Sequence, residues 1–264
     1  MSFRLFHIDT FTQFPFSGNP AAVCILPSPA DETWMGRVAA EINLSETAFL
    51  GKKDDGSYFL RWFAPKGEVD LCGHATLASA HVLWDEGFHP IGEEIQFITN
   101  SAHIICKRTE NWICMSFPII EYEKEELPTG IVESLGIEPK FCAKTSLNDF
   151  LLEAESEVVV EKLKPDFRKL QELPCRGVIV TAPAIDKDFD FVSRFFAPSI
   201  GIDEDPVTGS SHCSLGTFWS KKLSKKMLIG KQISKRGGII KISLEKDNIT
   251  LSGQAVTLIR SELF

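Results

Sequence analysis

The chain contains a long internal repeat, and that repeat limits what it can fold into more than any other feature. Residues 58–84 read YFLRWFAPKGEVDLCGHATLASAHVLW, and residues 189–219 read FDFVSRFFAPSIGIDEDPVTGSSHCSLGTFW. Each copy runs through an apolar, aromatic strand pattern to Phe-Ala-Pro. Each then passes a polar loop, reaches a glycine followed by small residues, and continues into a small-residue helix pattern closing near a tryptophan. The second loop is longer by three residues. The flanks extend the match. A helix over Glu32–Ile42 and a strand over 44–50 precede the first copy, and a helix over 166–173 and a strand over 177–182 precede the second. Further upstream, Asn-led turns open strands over 19–26 and 148–155. Self-similarity on this scale predicts two related halves.

Strands outnumber helices in each half and most connections are short. That predicts an α+β fold of two pseudo-symmetric domains, each a mostly antiparallel sheet around a central helix. The Gly-to-Trp helices are the least polar in the chain, and a helix apolar nearly all round is buried. The expected division is residues 1–118, joined by a C-terminal strand over about 256–264, and residues 119–255. The acidic run over 117–127, FPIIEYEKEEL, reads as the linker.

With 264 residues, 44% hydrophobic, 24% charged and a net charge of −8, the composition is that of a globular protein with no electrostatic bias toward nucleic acid or an anionic membrane. The one basic cluster, Lys221, Lys222, Lys225 and Lys226, reads as a solvated helix end. The seven cysteines are scattered, with no CxxC, which predicts reduced thiols and a cytoplasmic location. The histidines form no ligand-spaced cluster, so no metal is expected. Nucleotide-binding and hydrolase signatures are absent, so no cofactor is expected either.

The two glycine turns are the candidate site. A helix N-terminus attracts an anion, and glycine lets a ligand approach the backbone. The first turn carries Cys72, Gly73 and His74, and the second Asp205, Thr208, Gly209 and Ser210. At a helix start the imidazole of His74 is expected to be neutral. Glu46, in NLSETAFL, shares a strand face with Leu44, Ala48 and Leu50, so desolvation should raise its pKa. Each of these residues also has an ordinary structural use: a cap for Ser210 and Asp205, packing for His74, an edge strand for Glu46.

The stretches DTFTQFPFSGNPAAVC, NLSETAFL, RWFAPKGEVDLCGHATLASA and DEDPVTGSSH together resemble the PhzF-like (phenazine biosynthesis) isomerase family across nearly the whole chain. The resemblance implies a fold like that of diaminopimelate epimerase, a cofactor-free active-site cleft between the two domains, and a homodimer. It implies catalytic roles for Glu46 as proton shuttle and for His74, Asp205 and Ser210. It implies substrate binding by Asn19, Cys72, Gly73, Thr208 and Gly209. The expected partner is a small carboxylate-bearing substrate, and the expected reaction is proton transfer between its carbons. Related epimerases use two cysteines, one at each turn. Here the second turn has Asp205-Pro206-Val207 and no thiol, which weighs against the alternative of an amino-acid racemase. A non-catalytic protein that binds small acids or regulates is the other alternative.

Overall fold

The computed structural model describes residues 2–28 and 30–264, and the chain divides into two compact units, Met1–Ser116 with Ser252–Phe264, and Phe117–Leu251. In the first unit β1 (Phe3–Thr10) pairs antiparallel with β2 (Asn19–Ile25). The chain crosses through α1 (Glu32–Ile42) to β3 (Glu46–Lys52), which lies parallel to β2. Strand β4 (Tyr58–Ala64) returns antiparallel and turns tightly into β5 (Gly67–Val69). Helix α2 (Gly73–Asp85) then carries the chain to β6 (Ile95–Ile98), parallel to β4, and β7 (His103–Thr109) and β8 (Trp112–Pro118) follow as antiparallel neighbours.

The second unit repeats this pairing scheme. It opens with β9 (Tyr122–Lys124) and α3 (Ile131–Leu135), then β10 (Phe141–Thr145) pairs antiparallel with β11 (Asp149–Glu153). Two short helices, α4 (Glu157–Glu161) and α5 (Phe167–Gln171), lead to β12 (Gly177–Pro183), parallel to β11. Strands β13 (Phe191–Ala197) and β14 (Ile202–Asp205) form the second hairpin. Helix α6 (Gly209–Leu223) leads to β15 (Met227–Gln232), parallel to β13, followed by β16 (Gly238–Leu244) and β17 (Asn248–Gly253). The last strand, β18 (Ala255–Leu263), pairs antiparallel with β1 in the first unit.

Each unit is therefore an α+β body around one buried helix. Every residue from His74 to Trp84 on α2 is buried, as is every residue from Ser211 to Trp219 on α6. Small residues let the surrounding strands come close. A Cβ added at Gly216 would sit 2.5 Å from Ile249 Cδ1 and 2.9 Å from Ile242 Cγ2. Several polar side chains on these helices are satisfied locally: Thr76 and Ser79 donate to the carbonyls of Cys72 and Ala75, and Thr217 donates to that of Cys213. The closing tryptophans also find partners. Trp84 Nε1 donates to the Glu93 carbonyl, and Trp219 Nε1 donates to Thr181 Oγ1 while stacking on Phe191.

Helix α1 begins where Asp31 accepts from the Trp34 amide and ends where Asn43 takes a left-handed conformation. That C-cap shifts the next strand. Leu44 and Ser45 form a bend, and β3 starts at Glu46, two residues later than the periodicity predicts. The polar loops after Phe-Ala-Pro are hairpin strands as well. Each is clamped by a two-pronged ion pair, Arg61 to Glu68 and Arg194 to Glu204, with the guanidinium lying over Phe63 and Phe196 respectively. The acidic run read as a linker is not all linker: Tyr122–Lys124 pairs with β10, because a tyrosine among the acids packs its ring against Phe141 and Phe218.

Candidate active site

In the first unit the parallel pair β2–β3 sets Ala21 beside Glu46, and α2 begins with Gly73 and His74. His74 Nε2 lies 3.2 Å from Glu46 Oε2 and 3.3 Å from Ser45 Oγ, and Nδ1 lies 3.5 Å from Cys72 Sγ. Ser45 donates its own proton to the Pro20 carbonyl, so its oxygen is free to accept from the imidazole. The Glu46 side chain is only 13% exposed and that of His74 10%. Asn19, fully buried at the start of β2, pairs with Thr10, whose hydroxyl donates to the Asn19 carbonyl. The turn before it needs its glycine: Gly18 has φ +68, and a Cβ there would strike the Thr10 carbonyl oxygen at 2.0 Å.

Both protonation expectations for this cluster are corrected. Burial pushes the Glu46 pKa up, as its strand neighbours suggest. The ion pair with His74 outweighs burial and holds the carboxyl below its ordinary value. Burial likewise opposes a charge on His74. Cys72 and Glu46, one on each side of the ring, outweigh it and raise the imidazole well above its usual pKa. A carboxylate at ion-pair distance in a water-poor site counts for more than the helix dipole. Burial, reinforced by Glu46, raises the Cys72 pKa. The cluster sets the Glu46 carboxyl, the His74 imidazole and the Cys72 sulfur in a row.

Oxygen, nitrogen and sulfur donors from Glu46, His74 and Cys72 fall within 4.8 Å of one another, a donor set of the kind zinc takes. The imidazole meets Glu46 through Nε2 and Cys72 through Nδ1, so both ring nitrogens are engaged within the cluster. The arrangement suits proton handling.

In the second unit the DPVTGS turn is built by cross-linking. Thr208 Oγ1 donates to Asp205 Oδ2 at 2.5 Å instead of capping α6. Gln232, fully buried on β15, accepts from the Thr208 amide at 2.9 Å and donates to the Asp205 carbonyl at 2.6 Å. Ser234 holds the Pro206 carbonyl. Packing makes little demand for glycine at position 209: an added Cβ would meet only Leu251 Cδ1, at 3.8 Å. Ser210 Oγ accepts from Arg176, whose guanidinium forks onto buried Asp149. The one cysteine near this turn, Cys213, is buried inside α6 with its thiol pushed up to about 12.

The structure thus gathers Glu46, Cys72, Gly73 and His74 at one turn, and Asp205, Thr208, Gly209 and Ser210 at the other. Sequence reasoning missed Ser45, Asp149, Arg176 and Gln232. Ser45 stood beside Glu46 in the quoted stretch. The other three reach their partners only through strand pairing.

The comparisons agree with this architecture. Residues 8–261 match the phenazine biosynthesis-like protein family, PhzC-PhzF. An uncharacterised isomerase of Halalkalibacterium halodurans is 46% identical over 100% of this chain and 99% of its own. The crystal structure of a PhzF-family phenazine biosynthesis protein from Enterococcus faecalis superposes with a TM-score of 0.95 at 37% identity, covering 100% of both chains. A predicted epimerase from Pseudomonas aeruginosa shares the fold, with a TM-score of 0.79 at 20% identity over 99% of each chain. The family match over residues 8–261 and a relative 46% identical over the whole chain lead to one assignment: the chain belongs to the phenazine biosynthesis-like PhzF family.

Proposed function

We propose that this protein is a metal- and cofactor-independent isomerase that moves a proton between carbons of a small carboxylate-bearing metabolite. The observation that carries the reading is the enclosed Glu46–His74 pair, 3.2 Å apart at the start of α2. With its pKa held low, Glu46 is ionised and ready to accept a proton. A carboxylate of ordinary or low basicity removes a proton from carbon only where that C–H is acidified. The substrate is therefore one whose reacting carbon adjoins a carbonyl, a carboxylate or a conjugated system. Glu46 takes the proton and returns it to a second carbon of the same molecule, so no net redox change occurs. His74, as imidazolium, keeps Glu46 oriented and steadies negative charge developing on the substrate. Asp205, Thr208 and Ser210 hold the substrate's polar groups, and the amides at Gly73 and Gly209 receive its carboxylate.

The test is proton exchange in D2O. The protein is incubated with small β,γ-unsaturated carboxylic acids, and deuterium incorporation and double-bond migration are followed by NMR. Glu46→Gln should lower the rate about 1,000-fold or more. Near-normal turnover in that variant overturns the proposal. Deuterium entering an α-carbon with inversion would instead support racemisation, a reading disfavoured by the lack of a thiol at the second turn, Cys213 being buried inside α6.

A further inference from the structure

The two units place a side chain at the same register position against the same residue of the central helix. In the first unit β3 starts at Glu46, and the residue before it, Ser45, lies 3.3 Å from His74, the second residue of α2. In the second unit β12 starts at Gly177, and the residue before it, Arg176, donates through Nη2 to Ser210, the second residue of α6, at 3.2 Å. The repeat has kept the contact and changed its chemistry.

Arg176 is firmly held. Its Nε donates to Asp149 Oδ1 at 2.8 Å and Nη2 donates to Asp149 Oδ2, with Asp149 wholly buried at the start of β11. The guanidinium carbon lies 5.4 Å from the Phe195 ring centroid. Its backbone is pinned on both sides: the amide donates to the Asn148 carbonyl, and the Arg176 carbonyl accepts from Ser199. Such fork-to-fork pairs fix geometry as well as charge.

This geometry has a consequence for Ser210. An oxygen that accepts from a guanidinium keeps its own proton turned away from it. The neighbouring Ser211 hydroxyl spends its proton on the Thr208 carbonyl, whereas that of Ser210 remains available to a ligand. The ion pair has no net charge, so its contribution is orientation more than attraction. We propose that Arg176, braced by Asp149, is a positioning residue that makes Ser210 a hydrogen-bond donor and so commits this turn to a carboxylate in preference to a neutral amide of the same shape. The inference rests on the reading of Ser210 as a substrate-binding residue, but not on Glu46 being the proton shuttle.

The experiment uses benzoate and its neutral isostere benzamide as probes, titrated into the 15N-labelled full chain while the amides of Gly209, Ser210 and Ser211 are followed. The wild type should bind benzoate at least tenfold more tightly than benzamide. Arg176→Lys keeps a cation beside Asp149 but cannot fork, and should reduce that ratio toward one. Because an unpaired Asp149 could unfold the chain, the double variant Asp149→Leu/Arg176→Met is measured too. Replacing a buried ion pair with apolar side chains is often neutral for stability, so the melting temperature should hold while the benzoate preference disappears. Ser210→Ala should lose the same preference, with no further loss when combined with Arg176→Lys. A wild type that fails to discriminate, or variants that discriminate as well as it does, would overturn the proposal. Glu46→Gln is titrated in parallel: it should keep the benzoate preference, and normal turnover in it would count against the proton-shuttle reading alone.

Discussion

His212, four residues into α6, is a built-in acid sensitivity of the second turn. Its ring is fully buried, with Nδ1 2.7 Å from the Thr208 carbonyl oxygen. A carbonyl can only accept, so Nδ1 carries the hydrogen. Nε2 is then bare and finds no hydrogen-bond partner among the described residues, and the ring lies against Phe191. Burial pushes the pKa down to about 4 from 6.5. The folded-state value is depressed, so between these two values the unfolded chain binds the extra proton and the folded chain does not. Stability therefore falls as pH drops through this window and levels off below it. The full gap corresponds to about 3 kcal/mol, of which about 2 kcal/mol is lost between pH 7 and pH 5. The perturbation is His212→Asn, which keeps an N–H donor near the Nδ1 position and removes the titration. Urea unfolding at both pH values, read by tryptophan fluorescence and compared by midpoint at constant slope, gives the two pH dependences. The variant will be less stable at pH 7, since the smaller side chain leaves a cavity. Its loss on going to pH 5 should nevertheless be smaller than the wild type's by about 2 kcal/mol. Equal losses in the two proteins would refute the assignment of His212 as a buried neutral imidazole.

Four further outcomes rest on the geometry of the two turns and their helices. The His74 imidazole, raised by its neighbours, should titrate well above 6.5 by NMR, and Glu46→Gln should bring it down. The pairing contributes stability fully below the unfolded-state value and loses it as pH rises through the folded-state value, so the Glu46→Gln penalty should shrink at high pH. Gly209→Ala should leave stability within about 1 kcal/mol of wild type, because only Leu251 is met, yet weaken benzoate binding at least tenfold. Gly216→Ala should do the reverse to stability, costing about 1–3 kcal/mol in denaturant unfolding, since its methyl group would collide with Ile242 and Ile249.

The repeat was legible because its physical basis is local. Small residues after a glycine mark a helix that strands can approach closely, and α2 and α6 are such helices. The starts of the two halves' parallel strands were legible to within two residues, the error at β3 coming from the left-handed cap at Asn43. The hairpins after Phe-Ala-Pro were not legible, because the Arg61–Glu68 and Arg194–Glu204 clamps that hold them are apparent only once the strands pair. Periodicity placed Glu46 among aliphatic neighbours and from that gave the wrong pKa direction. It says how buried a carboxyl is, and it is silent on an imidazole that stands 28 residues downstream. Arg176 and Asp149 are 27 positions apart, and only the β11–β12 register makes them partners.

The pairing of β1 with β18 orders events in time. Phe3 finds Leu263 across a strand register that spans the whole chain, whereas the second unit draws all its strands from one continuous stretch. On the ribosome the second unit can therefore close while the first still lacks a strand. One edge of β1 stays uncovered until β18 emerges. Contacts this distant in sequence form slowly, and an open strand edge invites pairing with other chains. The catalytic candidates Glu46 and His74 lie in the unit that is completed last.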